Sequence, residues 1–240
     1  MARQKRVGIA SLAATLVLIA VAGCSAEDDA KSPSGGDAKP SPTRSGAAGG
    51  APEADGTLPG VPTAEQARTE LAGLEVAPHG SMSGYSRDRF PHWASQGENC
   101  NTRETVLNRD GANVQRDSEC RAVSGTWASV YDDRTFKDAA DLDIDHTVPL
   151  ANAWRSGANK WTQDKRKEFA NDLTHPQLLA VSAASNRSKG DQGPDEWQPP
   201  SKTYWCTYAR AWTSVKATYE LSVTASEKDM LGQMLDTCSS

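Results

Sequence analysis

The sequence predicts an α+β fold over residues 61–240, with a small strand–strand–helix core, additional helices and disulfide bridges. Three observations carry this. Two short apolar segments, Leu142 to His146 and Gln177 to Ser182, are separated by a long excursion and followed by a short helical stretch around Ser185. Two amphipathic stripes of helical period close the chain. Four cysteines, an even number, fall within the same span.

The chain opens with Arg3, Lys5 and Arg6, an apolar run from Val7 to Ala22, and then Gly23-Cys24. A basic start, an apolar core and small residues before a cysteine form an export signal of the bacterial lipoprotein kind over residues 1–23, with lipidation at Cys24. The apolar run is shorter than the roughly 20 residues a membrane-spanning helix needs. The expectation is therefore an exported protein, held by a lipid anchor on the extracytoplasmic side of the membrane or secreted. Loss of residues 1–23 removes three cations and no acid, taking the formal charge from −5 to about −8. Such a chain is a poor general binder of polyanions, so any nucleic-acid contact must be local and metal-assisted. Residues 24–60 are rich in Ala, Gly, Ser, Pro and Asp with almost no large apolar side chain, the composition of a flexible linker.

Within the folded part, Thr63-Ala64-Glu65-Gln66 has the form of a capping box, and Ala67, Leu71 and Leu74 continue it at helical spacing. From His79 to Trp93 no period is evident. Asp110-Gly111 signals a turn, and Ala122–Val123 and Thr126–Val130 read as short extended pieces. Leu142 and Ile144 alternate with acids and lead into Asp145-His146, a strand that Pro149 helps to end. Residues 162–173 read as a helix, Gln177 to Ser182 as a second strand. Tyr204, Tyr208, Trp212, Val215 and Tyr219 form one helical stripe. Thr224 to Glu227 caps a further helix bearing Met230, Leu231, Met234 and Leu235. Sequence order permits three pairings of Cys100, Cys120, Cys206 and Cys238. Antiparallel packing of the last two helices favours 206 with 238 and hence 100 with 120.

The chemistry concentrates in Asp143-Ile144-Asp145-His146-Thr147-Val148-Pro149-Leu150 and, forty residues beyond His146, Ser185-Asn186-Arg187-Ser188-Lys189-Gly190-Asp191. Hydrolysis of a phosphodiester needs an activated water and neutralisation of the charge on the phosphate and the departing oxygen. A neutral imidazole accepts the water's proton, while a carboxylate and an amide oxygen are the hard ligands that magnesium prefers. Neighbouring residues on a regular strand face opposite sides, so Asp145 and His146 share a site only if the strand ends there.

These two runs resemble the HNH, or His-Me finger, nucleases, whose site is a two-stranded ribbon and a helix around one metal. Residues 85–238 are similar to secreted actinobacterial HNH-family proteins related to the C-terminal domain of the GmrSD restriction endonucleases. Phe90-Pro91-His92-Trp93, Cys100-Asn101-Thr102-Arg103-Glu104, Phe169-Ala170-Asn171-Asp172 and Tyr204-Trp205-Cys206 add to the likeness. The resemblance implies His146 as general base, Asp145 and Asn186 as ligands of magnesium or another divalent cation such as manganese, and Asn171 or Asp172 as the brace of the ribbon. The last position is Asn rather than the His of the family name, as in the HNH domains of CRISPR effectors. GmrSD enzymes carry a further N-terminal domain that these residues do not resemble, so modification-dependent restriction is not implied.

Arg187 and Lys189 stand equally as phosphate ligands or as solvated helix charges, and Arg103 as a structural partner of Glu104 or a cation near the leaving group. The expectation is a metal-dependent endonuclease acting on DNA, with RNA as the second substrate and no protein partner. The competing class is a non-catalytic envelope lipoprotein that keeps the fold as a binding module. A third is a phosphodiesterase for another envelope substrate.

Overall fold

The computed structural model describes residues 58–239; the expected export signal, Cys24 and the linker as far as residue 57 lie outside them. Leu58 is already buried in the main core, ahead of the boundary expected at residue 61. Gly60 follows with φ +65°, and the Thr174 carbonyl oxygen lies 2.8 Å from where a Cβ would stand, so only glycine fits. No helix among the described residues is long and apolar enough to cross a membrane.

Helix α1 (Ala64–Gly73) begins at the Thr63–Gln66 capping box and buries Ala67 and Leu71. The stretch to Trp93 is irregular apart from a 3₁₀ turn at Arg87–Arg89. Strands β1 (Ser95–Gly97) and β2 (Cys100–Asn101) pair and lead into helix α2 (Thr102–Asp110), which the sequence reading missed. Only Thr102, Val106 and Leu107 of α2 are buried, too short a stripe to show as a period. Its signal is the cap: the Asn101 side chain accepts from the amides of Arg103 and Glu104.

Strands β3 (Gly111–Arg116), β4 (Ala122–Ser129) and β5 (Arg134–Phe136) form an antiparallel sheet in that order. The two extended pieces expected at 122–123 and 126–130 are one strand. Gly125 interrupts the pattern because the Trp127 ring lies over it, with ring carbons 2.5 Å from a hypothetical Cβ.

Strands β6 (Leu142–His146) and β7 (Leu178–Ser182) form the expected antiparallel ribbon, with Leu142 opposite Ser182 and His146 opposite Leu178. Leu142, Ile144, Leu178 and Ala180 pack into one cluster with Trp127, Val106 and Leu107, whereas Leu179 and Val181 join the main core. Burial on both faces explains why β7 reads as an unbroken apolar run rather than an alternation. Helix α5 (Ala183–Lys189) follows directly, capped by Ser182.

The excursion between the strands holds helices α3 (Leu150–Arg155) and α4 (Gln163–Ala170). Helix α3 was not foreseen, whereas α4 ends at Ala170, three residues short of the expected end at 173. Helices α6 (Trp205–Thr218) and α7 (Ala225–Leu235) pack together, joined by the Cys206–Cys238 bridge; Cys100–Cys120 is the other disulfide. Lys216 Nζ, 3.1 Å from Glu227 Oε1, and Trp212 Nε1, which donates to the same oxygen at 2.6 Å, tie α6 to α7 inside the core.

Candidate active site

The end of β6 and the body of α5 bring His146, Asp145 and Asn186 to one open cleft of about 220 Å³. Asp145 and His146 are adjacent in sequence, yet both line it, because the ladder ends at His146. Pro149 then serves as the cap of α3, whose first residues Leu150 and Ala151 form part of the cleft wall.

Each side chain is held by groups distant in sequence. His146 is only 5% exposed, and its Nε2 lies 3.0 Å from the Ala170 carbonyl oxygen at the end of α4. A carbonyl only accepts, so Nε2 carries the proton and Nδ1 keeps the lone pair. Burial, reinforced by the charges of Arg87 and Lys189, pushes the imidazole down to about 3, against the opposing pull of the Ala170 bond. His146 is therefore neutral throughout the neutral and mildly acid range. The Trp93 ring, 6.1 Å away, flanks it.

Asp145, 4% exposed, receives the Tyr131 hydroxyl and the Lys189 ammonium on the same oxygen, Oδ2, each at 2.6 Å. Its other oxygen, Oδ1, has no hydrogen bond to the described residues. Lys189 has no exposed surface and also donates to the His146 and Thr147 carbonyls at 2.8 and 3.0 Å. Burial lowers its affinity for the proton, and the Asp145 carboxylate works against that. Burial and the same carboxylate raise the Tyr131 phenol well above its ordinary range. Lys189 therefore has no access to a phosphate; it is an internal cation that fixes Asp145 and the strand end.

Asn186 donates from Nδ2 to Asp143 Oδ2 at 3.2 Å, which leaves its amide oxygen as an acceptor. Arg187 is exposed, with Nε 3.7 Å from the same Asp143 oxygen, and does not line the cleft. Helix α5 is seated by Asp132, whose Oδ2 accepts from Ser182 Oγ at 2.6 Å and Ser185 Oγ at 2.9 Å at the helix start.

The brace of the ribbon is neither Asn171 nor Asp172. Asn171 clamps the upstream segment, donating to Pro91 O at 2.7 Å and accepting from Ala94 N at 2.8 Å. Asp172 accepts from Thr174, His175 and the Tyr219 hydroxyl, ordering the turn before β7. The cross-brace is Gln177, fully buried: its Oε1 accepts from Val148 N at 3.1 Å and its Nε2 donates to Val148 O at 3.0 Å. Arg103 donates to the carbonyls of Ala139 and Leu142 and supports the start of β6, rather than pairing with Glu104 or reaching the cleft. Gln177 had a sequence signal, a polar residue heading an apolar run. Tyr131, the Ala170 carbonyl and Arg87 had none.

A divalent cation fits the donor set in type: Asp145 Oδ1 and the Asn186 amide oxygen are hard oxygens on one cleft. Among the described residues no group of three His, Cys, Asp or Glu side chains is placed to hold a metal.

A family model for the C-terminal domain of GmrSD restriction endonucleases matches residues 100–234, which include both strands of the ribbon, α5 and every side chain just described from Arg103 to Lys189. An uncharacterized secreted protein of the fungus Arthroderma benhamiae is 57% identical over 182 residues, covering 76% of this chain and 89% of its own length. No solved structure matches. The relative is fungal, whereas the sequence alone pointed to actinobacterial proteins. With more than half its length matched, the chain belongs to the GmrSD restriction endonuclease C-terminal domain family.

Proposed function

We propose that the protein is an exported, metal-dependent endonuclease of the HNH, or His-Me finger, type, which hydrolyses phosphodiester bonds of DNA, with RNA as the second substrate. The observation that carries the reading is the tautomer of His146. Its Nε2–H is committed to the Ala170 carbonyl, so the nitrogen left for chemistry is an acceptor in the cleft shared with Asp145 and Asn186. A water held there gives its proton to Nδ1 and attacks phosphorus as the P–O bond to the departing oxygen breaks, and burial keeps the imidazole unprotonated at neutral pH. Asp145 and Asn186 would hold magnesium or manganese, which when bound would neutralise the phosphate and its leaving oxygen. Export through residues 1–23 and lipidation of Cys24 would place this site outside the cytoplasm, tethered to the membrane.

The test uses the chain from residue 25 onward with supercoiled plasmid and magnesium. Cleavage that chelation stops and that His146→Ala reduces at least about a thousandfold supports the reading; equal activity in His146→Ala rejects it. A second reading, a non-catalytic envelope module, is favoured by the Lys189 ammonium, which already neutralises Asp145. Titration separates the two, because a binding module needs no magnesium affinity that Asp145→Asn and Asn186→Ala abolish.

A further inference from the structure

We propose that Arg87 is the residue that grips a backbone phosphate of the nucleic-acid substrate in the His146 cleft, the part that the sequence offered to Arg187 and Lys189. The proposal rests on the nuclease reading and adds the recognition that reading lacks. The cleft is lined by the carboxylates of Asp145 and Asp191, and the chain as a whole is acidic. A polyanion approaching it meets repulsion unless a cation faces the opening. Among the described residues Arg87 is the one cationic side chain lining the cleft. It is exposed, and no hydrogen bond or ion pair to the described residues engages its guanidinium.

The other bases near the site are committed. Lys189 is buried against Asp145, Arg187 faces Asp143 outside the cleft, and Arg155 donates to the Asp191 carbonyl at 2.8 Å with its carboxylate 3.4 Å away. A free guanidinium presents paired N–H groups that match two phosphoryl oxygens, which makes arginine the apt residue for this contact.

The backbone that carries Arg87 is rigid, as a substrate-binding position requires. Arg87 opens the 3₁₀ turn, closed by Phe90 N donating to Arg87 O at 3.0 Å. Phe90 is wholly buried against Trp154 and Phe169. Arg166, itself buried, donates from Nε to the Arg89 carbonyl at 3.0 Å, and Asn171 holds Pro91. The turn is thus bolted to α4, the helix whose end holds His146. Proximity has an electrostatic sign as well: the charge of Arg87 is one of those that resist protonation of His146.

The test separates binding from cutting. In the full chain carrying His146→Ala, the affinity for a fluorescein-labelled oligonucleotide is measured by anisotropy over a range of salt concentrations. Adding Arg87→Ala should weaken binding about tenfold at low salt and reduce the log–log salt slope by about one phosphate contact, roughly 0.7 for a single strand and 0.9 for a duplex. Arg87→Lys should keep the slope and lose only part of the affinity, whereas Arg187→Ala should leave both nearly unchanged. A matching thermal midpoint shows that each variant is folded, and Arg87→Gln against Arg87→Lys makes the same comparison should the alanine variant unfold. Unchanged affinity and slope on loss of the Arg87 charge overturn the proposal. If the wild-type chain cuts in a His146-dependent way while the Arg87→Ala variant binds normally, only Arg87 is wrongly placed; if the wild-type chain neither binds nor cuts, the nuclease reading falls and this proposal with it.

Discussion

The protonation state of His146 can be tested through folding, independently of catalysis. In the unfolded chain this imidazole titrates near 6.5, whereas burial holds it at about 3 in the fold. Above pH 6.5 both states are neutral and the group contributes no pH dependence. As pH falls below 6.5 the unfolded chain gains a proton that the folded chain refuses, so stability is lost progressively until the pH reaches about 3. Between pH 7 and pH 5 the loss is about 1.5 units of proton affinity at 1.36 kcal/mol each, or about 2 kcal/mol. His146→Gln keeps a donor that can reach the Ala170 carbonyl and removes the titration. The stability of wild type minus that of His146→Gln, from urea unfolding at each pH, should therefore fall by about 2 kcal/mol from pH 7 to pH 5. Other titrating groups cancel in the difference. A flat difference would refute the claim that His146 sits neutral in a dry, carbonyl-held pocket. In cleavage the same shift places the acid limb of His146 well below the ordinary imidazole range, so this residue leaves the rate undiminished from pH 7 down to pH 5.

Two further perturbations probe the supports. Lys189→Met leaves the Asp145 carboxylate buried and unpaired and should destabilise the fold by about 3–5 kcal/mol in urea unfolding, while adding Asp145→Asn should recover part of the loss; simple additivity of the two changes would show that the pair is not coupled. Gln177→Ala orphans the Val148 N–H and C=O and should cost about 2–3 kcal/mol, with a fall in cleavage at temperatures where the variant is still folded; a variant with wild-type stability would mean the loop after β6 is held by other means.

Much of the fold was legible because its signals are local. The Thr63 and Thr224 capping boxes, the aromatic stripe of α6 and the apolar run of β7 each declare an element from one short stretch of chain, and each is found where expected. The pairing of Cys206 with Cys238 followed from placing two helices side by side. What escaped was held by tertiary contacts. Helix α2 has three buried residues and a weak stripe, β4 is broken in sequence by a glycine that a tryptophan covers, and α3 begins at a proline that also ends the loop after the strand. In the site, the pair Asp145-His146 and the distant Asn186 stood out by residue type and spacing. Their supports did not, since Tyr131, the Ala170 carbonyl and Gln177 are linked to them only through the folded chain.

The role of Lys189 shows why residue type alone misassigned a charge. In the sequence it sits in a turn of Ser, Arg, Lys, Gly and Asp that looks solvated. In the fold α5 is short, and its last residue points back under the ribbon, where Nζ meets Asp145 Oδ2, His146 O and Thr147 O, with the Trp212 ring 5.8 Å away. Those three acceptors lie on consecutive residues at the end of β6, the point where the ladder ends and the chain turns toward α3. One ammonium thus does three things that the local sequence cannot do: it satisfies carbonyls freed when the ladder stops, it fixes the rotamer of the carboxylate, and it commits Oδ2 so that Oδ1 is the oxygen left unbonded. The strand end that lets an acid and a base share a face is stabilised from beneath by a cation supplied forty-four residues later. A carboxylate held in this way has one oxygen and part of its charge already taken, so a divalent ion bound in the cleft would gain less from Asp145 than from a free carboxylate. On the proposed reading, more of the substrate's charge would then fall to the cation that lines the cleft, Arg87.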